Sequence, residues 1–207
     1  MAIDKILWDV GANMGSYSLK RLTEFDEIVC FEPVPWVKRK LCDRLGQEGW
    51  PNYLTVMNLA LGDCDEVRDN QRIINAWTLM DHVPHNHSMA LDDQGPFSME
   101  VVTIDTLIKD GHKPPTHMKI DVDGYEPMVL RGGKKLFRGK RKPKEIYIEL
   151  SYLPSLLGEK PMNTVHMGWA YGYRWFSADR KERYDTEADM ERVFPKASGD
   201  FWMIYED

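Results

Sequence analysis

The stretch Ile6-Leu7-Trp8-Asp9-Val10-Gly11-Ala12-Asn13-Met14-Gly15-Ser16 decides how this chain folds. A short apolar run from Ile3 to Val10 ends at two glycines, Gly11 and Gly15. That pattern predicts a buried strand that turns sharply into a helix, at glycines whose backbone can approach a ligand with no Cβ in the way. Met14, Tyr17 or Ser18, Leu22 and Phe25 then recur at helical spacing. Glu27 to Glu32 is a second strand, stopped by Pro33 and Pro35. Val34, Val37, Leu41 and Leu45 mark a second helix punctuated by Gly46 and Gly49, and Tyr53 to Ala60 is a third strand. Strand and helix periods alternate, which predicts βαβ units, a mostly parallel sheet and right-handed crossovers.

Further along, Met118 to Val122, Glu145 to Leu150, Tyr173 to Phe176 and Phe201 to Tyr205 read as strands. A short helix runs from Glu126 to Gly132-Gly133. One stretch breaks the rhythm. Residues 75–98 carry three histidines, His82, His85 and His87, with few periodic apolar residues. A long irregular insert in a compact domain is usually functional or disordered, and here it is expected as a substrate lid. The spacing of its histidines matches no firm metal-ligand pattern, so no metal is expected. Trp169, Tyr171, Tyr173 and Trp175 are read as packing aromatics, and Cys30 as a small buried hydrophobe.

The chain has 207 residues, enough for a single domain over 1–207 with a real core. Its net charge of −6 offers no footprint for phosphate backbones, so nucleic acid is not an expected partner. The exception is a basic run from Lys134 to Lys144 with seven Lys or Arg, read as a solvated helix end and loop. Three cysteines without a C-x-x-C pair argue against a disulfide framework and for a reducing compartment. With no signal-peptide pattern and no apolar run near the roughly 18 residues of a membrane span, a cytoplasmic protein without a membrane partner is expected.

The first turn also constrains the ligand. A nicotinamide site calls for G-x-G-x-x-G, but Asn13 and Ser16 stand at the second and third glycine positions. The turn therefore fits a cofactor that carries no phosphate, such as S-adenosylmethionine, better than a pyrophosphate. Glu32 follows Asp9 at the next strand end, where a carboxylate can accept hydrogen bonds from both ribose hydroxyls.

Trp8 to Ser18, Phe31-Glu32-Pro33, Asn58-Leu59-Ala60-Leu61, Val102 to Leu107 and Lys119 to Glu126, followed by Val129 to Gly133, stand in order along residues 5–150. In this succession the chain resembles the FkbM-type methyltransferases. The resemblance implies a Rossmann-like class I methyltransferase fold, α/β, with a seven-stranded, mostly parallel sheet whose last strand is antiparallel. It implies S-adenosylmethionine as methyl donor and usually a hydroxyl acceptor on a sugar or natural product. Carried over by motif, Asp9, Gly11, Ala12, Asn13, Gly15 and Ser16 would hold the methionine part of the donor. Glu32 and Pro33 would border the ribose, and Asn58, Ala60 and Leu61 the adenine. Asp121 would sit beside the reacting centre. Asp123 stands where the family more often has Glu, and the stretch before the first strand is short.

Methyl transfer is an in-line displacement that needs alignment of the acceptor and exclusion of water. An alcohol acceptor also benefits from a positioned base. Asp121 is the first candidate and Asp123 the second, with Glu126 and Glu149 as alternatives. Glu126 and Asp123 also suit a helix-capping role beside Pro127. The expected partner is a small-molecule or glycan acceptor, and the short lead-in to the first strand leaves room for a homodimer. An N, S or C acceptor, a non-catalytic module that binds S-adenosylmethionine, and a nicotinamide oxidoreductase are the competing readings.

Overall fold

A computed structural model describes residues 4–75, 78–80, 95–150, 160, 162–193 and 199–206. Ile6–Val10 forms β1, buried at every position because it is covered on both faces. The chain then runs through α1 (Ser16–Leu19), β2 (Glu27–Phe31), α2 (Pro35–Glu48) and β3 (Leu54–Met57). Next come β4 (Ala60–Leu61), β5 (Glu66–Asn75), β6 (Thr78–Met80), β7 (Phe97–Val102) and α3 (Ile104–Lys109). Beyond them lie β8 (His117–Ile120), α4 (Glu126–Gly132), α5 (Lys134–Arg138), β9 (Glu145–Leu150) and α6 (Met162–Ala170). The chain closes with β10 (Tyr173–Ser177), β11 (Arg183–Tyr184), α7 (Glu187–Val193) and β12 (Gly199–Tyr205).

The main sheet has the order β11-β10-β12-β9-β8-β1-β2-β3. Five strands, β3 to β9 in that order, pair in parallel. The final strand β12 slips between β9 and β10, antiparallel to both. All seven expected strands are present. The eighth, β11, is a two-residue edge strand on β10.

One face of the sheet presents Trp8, Val10, Val29, Phe31, Met118, Ile120, Ile146 and Ile148 to α3, α4, α5, α6 and α7. The other packs Leu7, Ile28, Cys30 and Leu54 against Leu41 and Leu45 of α2. Cys30 is fully buried, as its place in an apolar strand predicts. Tyr171, Tyr173 and Trp175 are buried in the larger core and are packing residues. Among the described residues no helix is long and apolar enough to cross a membrane.

Three sequence expectations change. The first helix spans only Ser16–Leu19, with turns carrying the chain on to β2. The third strand ends at Met57, and Ala60–Leu61 belongs to a second sheet, ordered β4-β7-β5-β6. That sheet recruits both ends of the stretch read as irregular: Thr78–Met80 pairs with β5, and Phe97–Val102 pairs with β4 and β5. His82, His85 and His87 lie outside the described residues.

Candidate active site

The chain leaves β1 for β2 on one side and later returns to place β8 on the other, so the strand order reverses between β1 and β8. In open α/β sheets a ligand crevice forms outside the carboxyl ends of the strands at such a point. Here it is a cavity of about 350 Å³, within the range of small-molecule sites.

Gly11 follows β1 with φ of 75°, and a Cβ there would run into the carbonyl oxygen of Asp121. Only glycine lets the ends of β1 and β8 come this close. Gly15, also left-handed, starts α1, and a Cβ on it would strike Leu41 of α2.

Glu32 follows β2 and is buried. Its Oε2 accepts the N–H of Asn13 at 2.9 Å and its Oε1 that of Val34 at 2.9 Å. Burial pushes its carboxyl up to about 7, against the pull of those two backbone donors. Asn58 Nδ2 donates to the carbonyls of Glu32 and Pro33, each at 2.9 Å, and ties the strand end down from behind. An apolar slot opens beside Glu32. Val34 and Val37 form one side; Leu61, Met99 and Val101 come from the second sheet.

The opposite end of the cavity is acidic. Asp121, Asp123 and Glu149 all line it. Glu149 and Asp121 share a side-chain hydrogen bond, and burial together with the charge of Asp121 pushes Glu149 up to about 8. Asp123 sits in left-handed backbone, φ 52°. Burial, then the neighbouring Asp121, lifts it to about 6. Glu126 does not line the cavity. Its Oε1 accepts the N–H groups of Val122 at 3.1 Å and Gly124 at 3.2 Å, so it caps the turn that carries Asp123. Burial raises its carboxyl to about 7.

Of the residues singled out from sequence, Gly11, Asn13, Glu32, Pro33, Ala60, Leu61, Asp121 and Asp123 meet around this one cavity. Asp9, Ala12, Gly15, Ser16 and Asn58 do not line it. Asp9 is fully buried behind the turn, where its Oδ2 accepts the hydroxyl of Ser18 at 2.6 Å. Ala12 packs into the smaller core, and Ser16 is exposed at the start of α1.

A profile of the Methyltransferase FkbM domain matches residues 9–174, most of the chain and all of this site. The chain belongs to the FkbM methyltransferase family. The hexuronic acid methyltransferase AglP of Haloferax volcanii is 28% identical over 130 residues, which make up 62% of this chain and 50% of that protein. This FkbM-family chain thus spans about half the length of the curated relative it matches. The crystal structure of an FkbM methyltransferase from Methylobacillus flagellatus superposes with a TM-score of 0.56 at 16% identity, over 97% of this chain and 43% of that one. At that identity the likeness speaks for the fold, a class I methyltransferase architecture.

Sequence reading left out several residues of this FkbM-family site. Met99, Val101 and Arg68 reach the cavity from the second sheet. No local pattern signals them, because their position depends on pairing between segments far apart. Tyr125 and Met128 come from the turn and helix after β8. Lys119 had a signal that went unread: a lysine between Met118 and Ile120 in a strand buried on both faces.

Proposed function

We propose that this methyltransferase takes its methyl group from S-adenosylmethionine and places it on a hydroxyl of a sugar or other small-molecule acceptor. The observation that carries this reading is the pair of hydrogen-bonded carboxyls, Asp121 and Glu149, facing the cavity across from Glu32. The residues fit the donor. The apolar slot suits an adenine, the remaining lone pairs of Glu32 suit ribose hydroxyls, and the cleared turn at Gly11 admits the amino-acid end. When bound, the donor supplies an electrophilic methyl group on a positively charged sulfur. The chain's own task is to orient that methyl, exclude water with the apolar walls and take the acceptor proton. Asp121, at the end of β8 with its side chain 44% exposed, is placed to accept it. Asp123 stands beside it as the second carboxylate.

The likeness to a hexuronic acid methyltransferase supports a sugar-like acceptor, and the net charge of −6 speaks against nucleic acid. Calorimetric titration with S-adenosylmethionine and S-adenosylhomocysteine tests the donor, and a labelled-methyl transfer assay over hexuronic acids and neutral sugars tests the acceptor. Micromolar binding and an ether-linked methyl in the product are expected. A well-folded protein that binds neither nucleoside would sink the reading, and a methyl recovered on nitrogen, sulfur or carbon would replace its second half.

A further inference from the structure

Lys119 is the only lysine or arginine among the described residues that is buried. Its Nζ lies 3.2 Å from Asp121 Oδ2 and 3.5 Å from Asp9 Oδ1. It donates to the carbonyl of Gly11 at 2.5 Å and to that of Val10 at 3.4 Å. A buried ammonium is costly unless ion pairs and hydrogen bonds surround it. Here those partners are the base candidate, the turn that would cradle the donor and a carboxylate behind that turn.

The acids around it are many. Around Asp121 stand Lys119 on the strand before it, Asp9 on β1, Asp123 in the following turn, Glu126 on α4 and Glu149 on β9. Asp200 of β12 stands opposite Glu149 in the sheet register. Carboxyls this close do not all ionise together. Their surroundings differ: Asp121 touches the ammonium directly, whereas Glu149 meets Asp121 through a hydrogen bond.

We propose that Lys119 is a positioning residue: it holds the negative charge of the carboxyl pair on Asp121, leaves the shared proton on Glu149, and fixes the base to the Gly11 turn. The inference rests on the proposed O-methyl transfer only for what the ionised Asp121 does. During transfer the acceptor oxygen forms a bond to the methyl carbon, and the carbon–sulfur bond breaks with its electron pair going to sulfur. The hydroxyl proton passes to Asp121, which Lys119 has kept free to receive it. In the resting site the ordering is Lys119 ammonium, Asp121 carboxylate, Glu149 acid.

Infrared spectroscopy of the ligand-free protein at pH 7 tests the placement without any acceptor. The protonated-carboxyl band should lose a component in Glu149→Gln, and carboxyl-labelled aspartate should leave that component unmoved. In Lys119→Met an aspartate-sensitive component should appear and vanish again in Lys119→Met/Asp121→Asn, while Lys119→Arg restores the wild-type spectrum. An aspartate-sensitive band in the wild type that disappears in Asp121→Asn would overturn the proposal, and that result needs no lysine variant to fold. A Lys119→Met spectrum identical to wild type would overturn it too. Failure of S-adenosylhomocysteine to bind would fall on the functional reading instead, because the infrared result does not depend on it.

Discussion

Glu32, Glu126 and Glu149 are three carboxyls that folding shields from water. Their pKa values rise from 4.5 to about 7, about 7 and about 8. The folded state therefore binds more protons than the unfolded chain between those limits, and stability must fall as pH rises. Their stabilising share is complete below about 4.5 and is lost as pH climbs through about 7 to 8. Ligand-free protein should therefore melt at a lower temperature at pH 8 than at pH 6, and Glu149→Gln should flatten that slope. A melting temperature that rises across this window would contradict the burial argument. The ribose contact is also a matter of one residue: Glu32→Ala should weaken binding of S-adenosylhomocysteine by about 1.5–3 kcal/mol, the range for a hydrogen bond to a charged group. Calorimetry reads that loss directly.

At the scale of elements, two glycines in helices should behave oppositely. Gly132 ends α4 where a Cβ would collide with the carbonyl oxygen of Gly62, just past β4. Gly132→Ala should cost about 1–3 kcal/mol by forcing the helix off the second sheet. Thermal melts would show this as roughly 2–4 °C per kcal/mol. Gly46 lies inside α2, and a Cβ there meets nothing within 4 Å. Gly46→Ala should stabilise by about 0.5–1 kcal/mol. Of the two glycines that mark the end of this helix in the sequence, left-handed Gly49 is the stop, while Gly46 lies inside α2, which continues to Glu48. The strands of the main sheet are legible because each is an apolar run bounded by turn residues. β5 is not: it carries exposed Val67 and left-handed Asn70, and it exists by pairing with β7 some thirty residues on. The carboxyl end of the site was legible in Lys119 to Glu126, the apolar side of its slot only in part, since half of that side belongs to the second sheet.

In the whole molecule, the cavity lies between the carboxyl edge of the main sheet and the wall made by β4, β5 and β7. A ligand there touches both sheets at once. Saturation with S-adenosylhomocysteine at a hundred times its Kd should stabilise the fold by about 2.7 kcal/mol. Hydrogen exchange should slow in β5 and β7 as well as around Gly11, while β10 and β12 stay unchanged. Protection confined to the main sheet would mean that the second sheet takes no part in binding.

The place of β12 has a consequence for how the chain comes into being. Residues 199–205 sit between β9 and β10, two strands that precede them in the chain. As the chain leaves a ribosome, β9 and β10 come out ahead of the strand that joins them. The β3 to β9 half can assemble during elongation, because every strand in it is complete once Leu150 has left the exit tunnel. The far half has to wait with facing strand edges unpaired, a state open to wrong pairing with neighbouring chains. The sheet is thus completed by β12, a strand that comes later in the chain than both of the neighbours it joins.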